Sequence, residues 1–249
     1  MDPAGRVALV TGGAAGLGRA VTLALAGRGA KVAFTYLASD EAEAQSTLAE
    51  AAALSGSCHG FASDVADWNA TDALVQRIER ELGPVSILVN NAGMTAYARD
   101  PTELSRENWD RVMAVNLGGP FGCIRAVLPS MYERQTGAIV NVASIAGITG
   151  MGSSTAYTVS KAALISLTTF LARDLATRGI RVNAVAPGSM PTRWHSLYYP
   201  VSESPQTMTP IERVADAVIW LISNDSVTGQ IAVVDGGEHL TAPTAERDG

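Results

Sequence analysis

A doubly wound α/β fold, with a parallel sheet covered by helices on both faces, is the class this chain predicts, and three observations predict it. Short apolar runs alternate with longer helix-period stretches from end to end, the pattern of repeated βα units. A strand near the start runs directly into Thr11-Gly12-Gly13-Ala14-Ala15-Gly16-Leu17-Gly18 and then into a helix. With 249 residues, 47% of them hydrophobic and 17% charged, the chain can bury one large core. No repeat, low-complexity linker or composition shift marks a second domain, so residues 1–249 read as one unit.

The apolar runs taken as strands are Val7 to Thr11, Lys31 to Tyr36, His59 to Ser63, Ser86 to Asn90, Ala138 to Ala143, Arg181 to Ala186 and Ile231 to Val234, a seven-stranded sheet. Between them the spacing predicts helices over Leu17 to Arg28, Glu41 to Leu54, Thr71 to Leu82, Trp109 to Tyr132, Thr155 to Thr177 and Pro210 to Ile222. Gly27, Gly29, Gly83 and Gly179 fall where those helices should end, in the left-handed conformation that caps a helix. The stretch Ser189 to Thr209 is rich in Pro, Ser, Tyr and Trp and has no period. It reads as a loop over a site.

Composition removes several function classes. The formal charge is −6 and no basic cluster stands out, whereas nucleic-acid binding needs grouped Lys and Arg to displace counterions. Cys58 and Cys123 each stand alone, without metal-type spacing to His59, His195 or His239, so neither a disulfide framework nor a metal site is expected. The opening Met-Asp-Pro-Ala-Gly lacks the basic and apolar regions of a signal peptide. No apolar run in the sequence approaches the roughly 20 residues that cross a bilayer. The expectation is a cytoplasmic protein with no membrane partner.

The glycine-rich turn carries the first chemistry. Glycines at 12, 16 and 18 let the backbone turn tightly and approach a pyrophosphate, whose charge meets the amides of Ala14, Ala15, Gly16 and Leu17 at a helix amino terminus. The spacing is Gly-xxx-Gly-x-Gly, a departure from the GxGxxG dinucleotide fingerprint.

With this spacing the chain resembles the short-chain dehydrogenase/reductase family, and the likeness continues in order. Asp64-Val65 follows the third strand and Asn90-Asn91-Ala92-Gly93 the fourth. Then come Asn116, Ser144, Tyr157-xxx-Lys161 and Pro187-Gly188. The resemblance implies a Rossmann-like fold and a nicotinamide cofactor. It places Asp64 and Val65 at the adenine, Asn91, Ala92 and Gly93 near its ribose, and Met190 and Thr192 along the nicotinamide and pyrophosphate. It also implies a catalytic set of Asn116, Ser144, Tyr157 and Lys161, with Lys161 on the nicotinamide ribose and Asn116 holding a water that returns protons.

The Tyr-Lys pair is informative by itself. With two lysines and six tyrosines in the chain, a chance match arises in roughly one sequence in twenty. Residues four apart share a helix face, so the ammonium would lie near the phenol and lower its pKa from about 10 toward working pH. In the mechanism that the resemblance implies, Tyr157 exchanges a proton with a substrate oxygen that Ser144 orients, while hydride passes to or from the nicotinamide.

Tyr36 stands where the family's NAD enzymes carry Asp, and Ala15 and Leu37 stand where Arg or Lys would bind a 2′-phosphate. With no acid at Tyr36, and with Ser39 and backbone amides on hand, the balance is read as favouring NADP, NAD remaining open. Trp194 and Tyr198 are the candidate substrate contacts, beside His195, Leu197, Tyr199 and Met208. Pro205-Gln206-Thr207-Met208 replaces the family's common Pro-Leu-Gly-Arg stretch. The expected reaction is reduction of a ketone carbonyl or oxidation of the corresponding alcohol. A 3-oxoacyl thioester reductase, an NAD-dependent alcohol dehydrogenase, an epimerase or dehydratase working by transient oxidation, and a non-catalytic cofactor-binding regulator are the alternatives. Apolar Phe121, Ile124, Val127 and Leu128, with Leu164, Leu167, Phe170 and Leu171, exceed what one core-facing stripe needs. The resemblance makes of them a homotetramer, or a homodimer, built on paired copies of these helices.

Overall fold

The computed structural model of the chain describes residues 1–98, 100–192, 196 and 208–240. Trp194, His195, Leu197, Tyr198, Tyr199 and the Pro205-Gln206-Thr207 departure lie outside the described residues, as does the greater part of the expected loop. The strands are β1 (Val7–Val10), β2 (Lys31–Tyr36), β3 (Ser57–Ala62), β4 (Val85–Asn90), β5 (Gly137–Val142), β6 (Ile180–Pro187) and β7 (Ile231–Val234). The helices are α1 (Gly16–Ala26), α2 (Glu41–Ala51), α3 (Trp68–Leu82), α4 (Arg106–Met113), α5 (Gly119–Arg134), α6 (Ala146–Thr149), α7 (Thr155–Leu175) and α8 (Ile211–Ser223).

All strand pairs are parallel, and the order is β3-β2-β1-β4-β5-β6-β7. The chain starts in the middle, winds out to β3 and restarts on the other side of β1 with β4. Between β1 and β4 the winding reverses, and the carboxyl ends of the strands there open a crevice.

Alternate residues along the strands feed two cores. Ala8, Val10, Val32 and Phe34 pack with Leu17, Val21 and Leu25 of α1 and Val214, Val218 and Ile222 of α8. Val7, Leu9 and Ala33 pack with Val75 and Ile78 of α3, Ile124, Val127 and Met131 of α5, and Leu171 and Leu175 of α7. Burial on both faces is why the inner strands read as continuous apolar runs.

Helix starts follow their caps. The Asp67 carboxylate accepts the Ala70 N–H at 3.0 Å, so α3 begins before the Thr71 expected from periodicity. Ser154 accepts the Tyr157 N–H at 3.2 Å and sets the first turn of α7. The reading of Gly27 as a left-handed cap is corrected: its φ is −61°, right-handed, and the turn to positive φ comes at Gly29, φ 80°. Ala30 N–H still bonds back to Leu25, so the helix end unwinds over two further residues.

The helix expected over Trp109 to Tyr132 is longer and is not uniform. From Ser105, whose hydroxyl accepts the Asn108 N–H at 3.1 Å, it runs through α4, a π-helical turn at Ala114–Gly118 and α5. By length and composition alone this run, Arg106–Arg134, is long and apolar enough to cross a membrane, although Asn116 and Arg125 interrupt its apolar residues. Half of its most apolar window is buried inside the protein, as in a core helix. The apolar surplus is also smaller than expected. Ile124, Val127, Leu164 and Leu171 are core residues, and only Phe121 and Phe170 of the eight named are exposed.

Candidate active site

A cavity of about 1260 Å3 opens at the carboxyl ends of the strands, spanning the β1–β4 crevice. One part of its wall is the turn after β1. Gly12 and Gly16 have φ of 64° and 53°, which L side chains rarely adopt. Gly18 allows close approach, since a Cβ there would lie 2.0 Å from the Gly12 carbonyl oxygen. Asn91 fastens the turn to the end of β4: its side-chain NH2 donates to the carbonyls of Thr11 and Gly12 at 3.0 and 3.1 Å. Thr11 Oγ1 in turn accepts the N–H groups of Asn91 and Ala92, both at 3.0 Å. The first turn of α1 carries no acid, so its free amides and dipole present positive potential to the cavity. Gly12, Ala14, Ala15, Gly16 and Leu17 line the wall; Gly18 does not, and serves behind it.

At the β2 end the wall includes Tyr36, Leu37, Asp40 and Glu43. The Tyr36 hydroxyl donates to Glu41 at 2.9 Å, and Gln45 donates to the other Glu41 oxygen at 2.8 Å. The carboxylate bond raises the Tyr36 pKa, and the hydrogen bonds from Gln45 and Tyr36 lower that of Glu41. Ser39, expected at this end, is exposed in the short turn Ala38–Asp40 and is not on the wall. Asp64 and Val65 line the cavity at the β3 end. Burial works to raise the Asp64 pKa, but the Ala66 N–H at 3.0 Å and Arg111 at 2.6 Å bring it below the usual range.

The opposite wall holds Gly93, Ser144, Tyr157 and Lys161. Lys161 is fully buried on α7 and donates from Nζ to the Val142 carbonyl at the end of β5, at 2.8 Å. Its Nζ stands 5.7 Å from the centre of the Tyr157 ring, as the spacing of four predicts. Loss of hydration pushes the Lys161 pKa down to about 8. Ser144 Oγ accepts the Ala146 N–H at 3.1 Å, which leaves its hydrogen to donate elsewhere.

Asn116 sits in the π turn, buried behind the wall and not on it. Its NH2 donates to the Met94 carbonyl at 2.8 Å and to Ser160 Oγ at 3.0 Å, and its Oδ1 accepts the Met94 N–H at 2.8 Å. Ser160 continues to the Tyr157 carbonyl at 2.7 Å. Both amide hydrogens are therefore spent on the protein, and a water held here has only carbonyl oxygens of Asn116 to bond. Its evident work is to bolt the β4 exit to the helix that bears Tyr157.

Ala92, Asn91, Pro187, Gly188, Met190 and Thr192 also line the cavity, which brings together the expected cofactor residues other than Gly18 and Ser39. Sequence reasoning missed Arg111, Met94, Met151 and Glu238 on the wall. Glu238 comes from beyond β7 with no motif around it. The described residues contain no group of three or more His, Cys, Asp or Glu able to hold a metal ion.

A family model described as short chain dehydrogenase matches residues 6–198. The chain is 37% identical to 3-oxoacyl-[acyl-carrier-protein] reductase FabG of Thermotoga maritima over 242 residues, 94% of this chain and 97% of the relative. It is 36% identical to the protein of the same name in Staphylococcus aureus strain Mu50, covering 94% and 98% of the two chains. It is 37% identical to Nodulation protein G of Azospirillum brasilense, covering 93% and 97%.

Proposed function

The chain belongs to the short-chain dehydrogenase family and is an NAD(P)-dependent oxidoreductase, and from that premise we propose that it reduces a ketone carbonyl, or oxidises the matching secondary alcohol, with Tyr157 as the proton donor and acceptor. The observation that carries this reading is the cavity wall where Tyr157 and buried Lys161 stand together beside Ser144.

The wall suits a dinucleotide, because a glycine turn, a helix amino terminus without acids and a long crevice meet there. A nicotinamide bound here supplies or accepts the hydride. Gly12, Ala14, Ala15, Gly16 and Leu17 would hold its pyrophosphate, and Asp64, Val65 and Asn91 to Gly93 would flank its adenosine half. Pro187, Gly188, Met190 and Thr192 would lie along its nicotinamide half. The Lys161 ammonium, desolvated and bonded to Val142, favours the phenolate of Tyr157 and so makes proton transfer easier at neutral pH. The Ser144 hydroxyl donates to the substrate oxygen as charge develops on it. Asn116 holds the backbone at Met94 and, through Ser160, the turn of α7 that carries Tyr157.

For the cofactor we propose a preference for NADP, supported by the absence of a carboxylate at Tyr36 and by the engagement of Glu41 with Tyr36 and Gln45. A second reading, NAD, has its own observation: Asp40 and Glu43 line the same end, and a 2′-phosphate would meet them. Comparing catalytic efficiencies with NADPH and NADH decides between them.

Met94, Ile145, Met151 and Met190 give the cavity a deformable apolar side, which fits a substrate with an apolar arm. The names of the relatives make 3-oxoacyl thioesters the first class to try. A panel of such thioesters and simple ketones, followed by loss of NADPH absorbance, tests the reading; no turnover of any member would overturn it. We further propose assembly through the α5 and α7 faces. Phe121, packed 5.6 Å from Trp68 between ring centres, is an exposed apolar side chain on α5, and Val159 and Phe170 are exposed on α7. Sedimentation giving only a 25.9 kDa species at micromolar concentration would remove that proposal. We place the enzyme in the cytoplasm.

A further inference from the structure

Glu238 lies on the cavity wall, beyond β7, and is 49 positions from the residue it holds. Gly236 and Gly237, with φ of 63° and 90°, turn the chain back after β7. Asp235 secures that turn, accepting the Gly237 N–H at 2.9 Å, the His239 N–H at 2.7 Å and His239 Nδ1 at 2.6 Å. Burial would raise the Asp235 pKa, but these bonds bring it below the ordinary carboxylate range. The turn aims Glu238 at the exit of β6. One of its oxygens accepts the Ser189 N–H at 2.8 Å and the other pairs with Ser189 Oγ at 2.9 Å. The two segments touch without a side chain between them: a Cβ on Gly188 would stand 2.5 Å from Glu238 Oε2 and 2.7 Å from Asp235 Cβ.

Ser189 is thus held at every polar atom, for its carbonyl accepts the Thr209 N–H at 2.8 Å. Just upstream, the Pro187 carbonyl accepts the Ile145 N–H at 3.0 Å, next to Ser144, and Gly188 N–H bonds to Val234 at 3.1 Å. Just downstream come Met190 and Thr192, on the cavity wall.

We infer that Glu238 is a positioning residue for the nicotinamide half of the site: its carboxylate, clamped on Ser189, fixes the segment Pro187 to Thr192 against the cofactor. This rests on the dinucleotide reading given above. The clamp acts by geometry. A glutamine can reproduce it, since its oxygen accepts the Ser189 N–H while its NH2 donates to Ser189 Oγ; an alanine cannot.

The test compares wild type, Glu238→Gln, Glu238→Ala and Ser189→Ala by two readouts. The first is amide exchange of the peptide containing Ser189 in the protein without cofactor. The second is the Kd for NADPH and NADH from tryptophan fluorescence. Glu238→Ala should speed exchange at Ser189 by about 10-fold or more and raise the Kd of the preferred cofactor by about 5- to 10-fold. Glu238→Gln should stay within about 2-fold of wild type in both, and Ser189→Ala, which keeps the backbone bond, should fall between. If Glu238→Ala does not fold, the Gln and Ser189→Ala variants carry the test. Exchange and Kd unchanged in Glu238→Ala, or in Ser189→Ala when it must serve alone, would overturn the inference, as would a Gln variant as defective as Ala. Failure of the wild type to bind either dinucleotide would instead overturn the dinucleotide reading, and the exchange result would stand by itself.

Discussion

The two ends of the cavity are built differently. Around Lys161 the side chains are buried and cross-connected: the ammonium on Val142, Asn116 on Met94 and Ser160, Ser160 on Tyr157. Around Tyr36 the contacts are few and open to solvent. Tyr36 and Gln45 hold Glu41, which is itself exposed, and Leu37 is exposed beside them. In the first region each group is desolvated, so a lost partner leaves an unsatisfied polar atom or a bare charge. In the second, water replaces whatever is removed. Substitutions at the Lys161 end should therefore cost turnover and stability, and those at the Tyr36 end should change which cofactor is chosen while leaving the fold intact.

The largest expected effect is at Tyr157. Tyr157→Phe keeps the ring and removes the proton, so turnover should drop by about 1000-fold or more while the cofactor Kd stays within about 3-fold. Steady-state rates and a fluorescence titration measure the two. Retained turnover would erase the distinction between the ends.

Lys161 gives a pH signature of burial. Its pKa is about 8 in the fold against 10.5 for an ordinary lysine. Below pH 8 both states bind the proton and the fold bears the whole cost of the buried charge. Between 8 and 10.5 the unfolded chain binds more protons, so stability rises with pH. Relative to Lys161→Met, wild type should gain about 2 kcal/mol between roughly pH 7.5 and 9.5 in urea denaturation. A flat difference would mean that the ammonium is hydrated, like the groups at the Tyr36 end.

How much of this was readable from the chain follows the same division between local and distant causes. Tyr157 and Lys161 are one helical turn apart, and the glycine turn is a property of successive residues, so both could be read directly. The strands could be read because burial on both faces writes itself as apolar runs. The π turn at Asn116 could not: it arises where α4 and α5 meet the β4 exit and α7, and no residue in Ala114–Gly118 announces it. Gly27 was misread because a glycine permits the left-handed turn without requiring it, and the next glycine took that role. Glu238 was invisible since its partner is far along the chain. Ser39, read as a group on hand for a 2′-phosphate, stands exposed in the short turn after β2, between Leu37 and Asp40 of the wall.

At the ribose end, Leu37→Arg should raise the ratio of catalytic efficiency with NADPH to that with NADH by about 10-fold, by adding the cation that the wall lacks there. Turnover with saturating cofactor should be unchanged. A fall in turnover comparable to that of Tyr157→Phe would show the two ends to be mechanically joined.

The smallest effect tests the openness of that end most directly. Tyr36→Phe removes the hydroxyl that donates to Glu41 and leaves the bond from Gln45 in place. The substitution keeps an aromatic ring against Phe34, whose centroid lies 6.1 Å from that of Tyr36, so packing is conserved. Water solvates the released carboxylate oxygen, and the melting temperature should move by no more than about 1 °C. The freed oxygen can accept a ribose hydroxyl and repels a 2′-phosphate, so preference should shift toward NADH by about 2-fold. The sign matters more than the size. A shift toward NADPH would mean that the Tyr36–Glu41 pair presents its charge to the cofactor instead of sequestering it, and a large loss of stability would mean that this end is built as tightly as the one around Lys161.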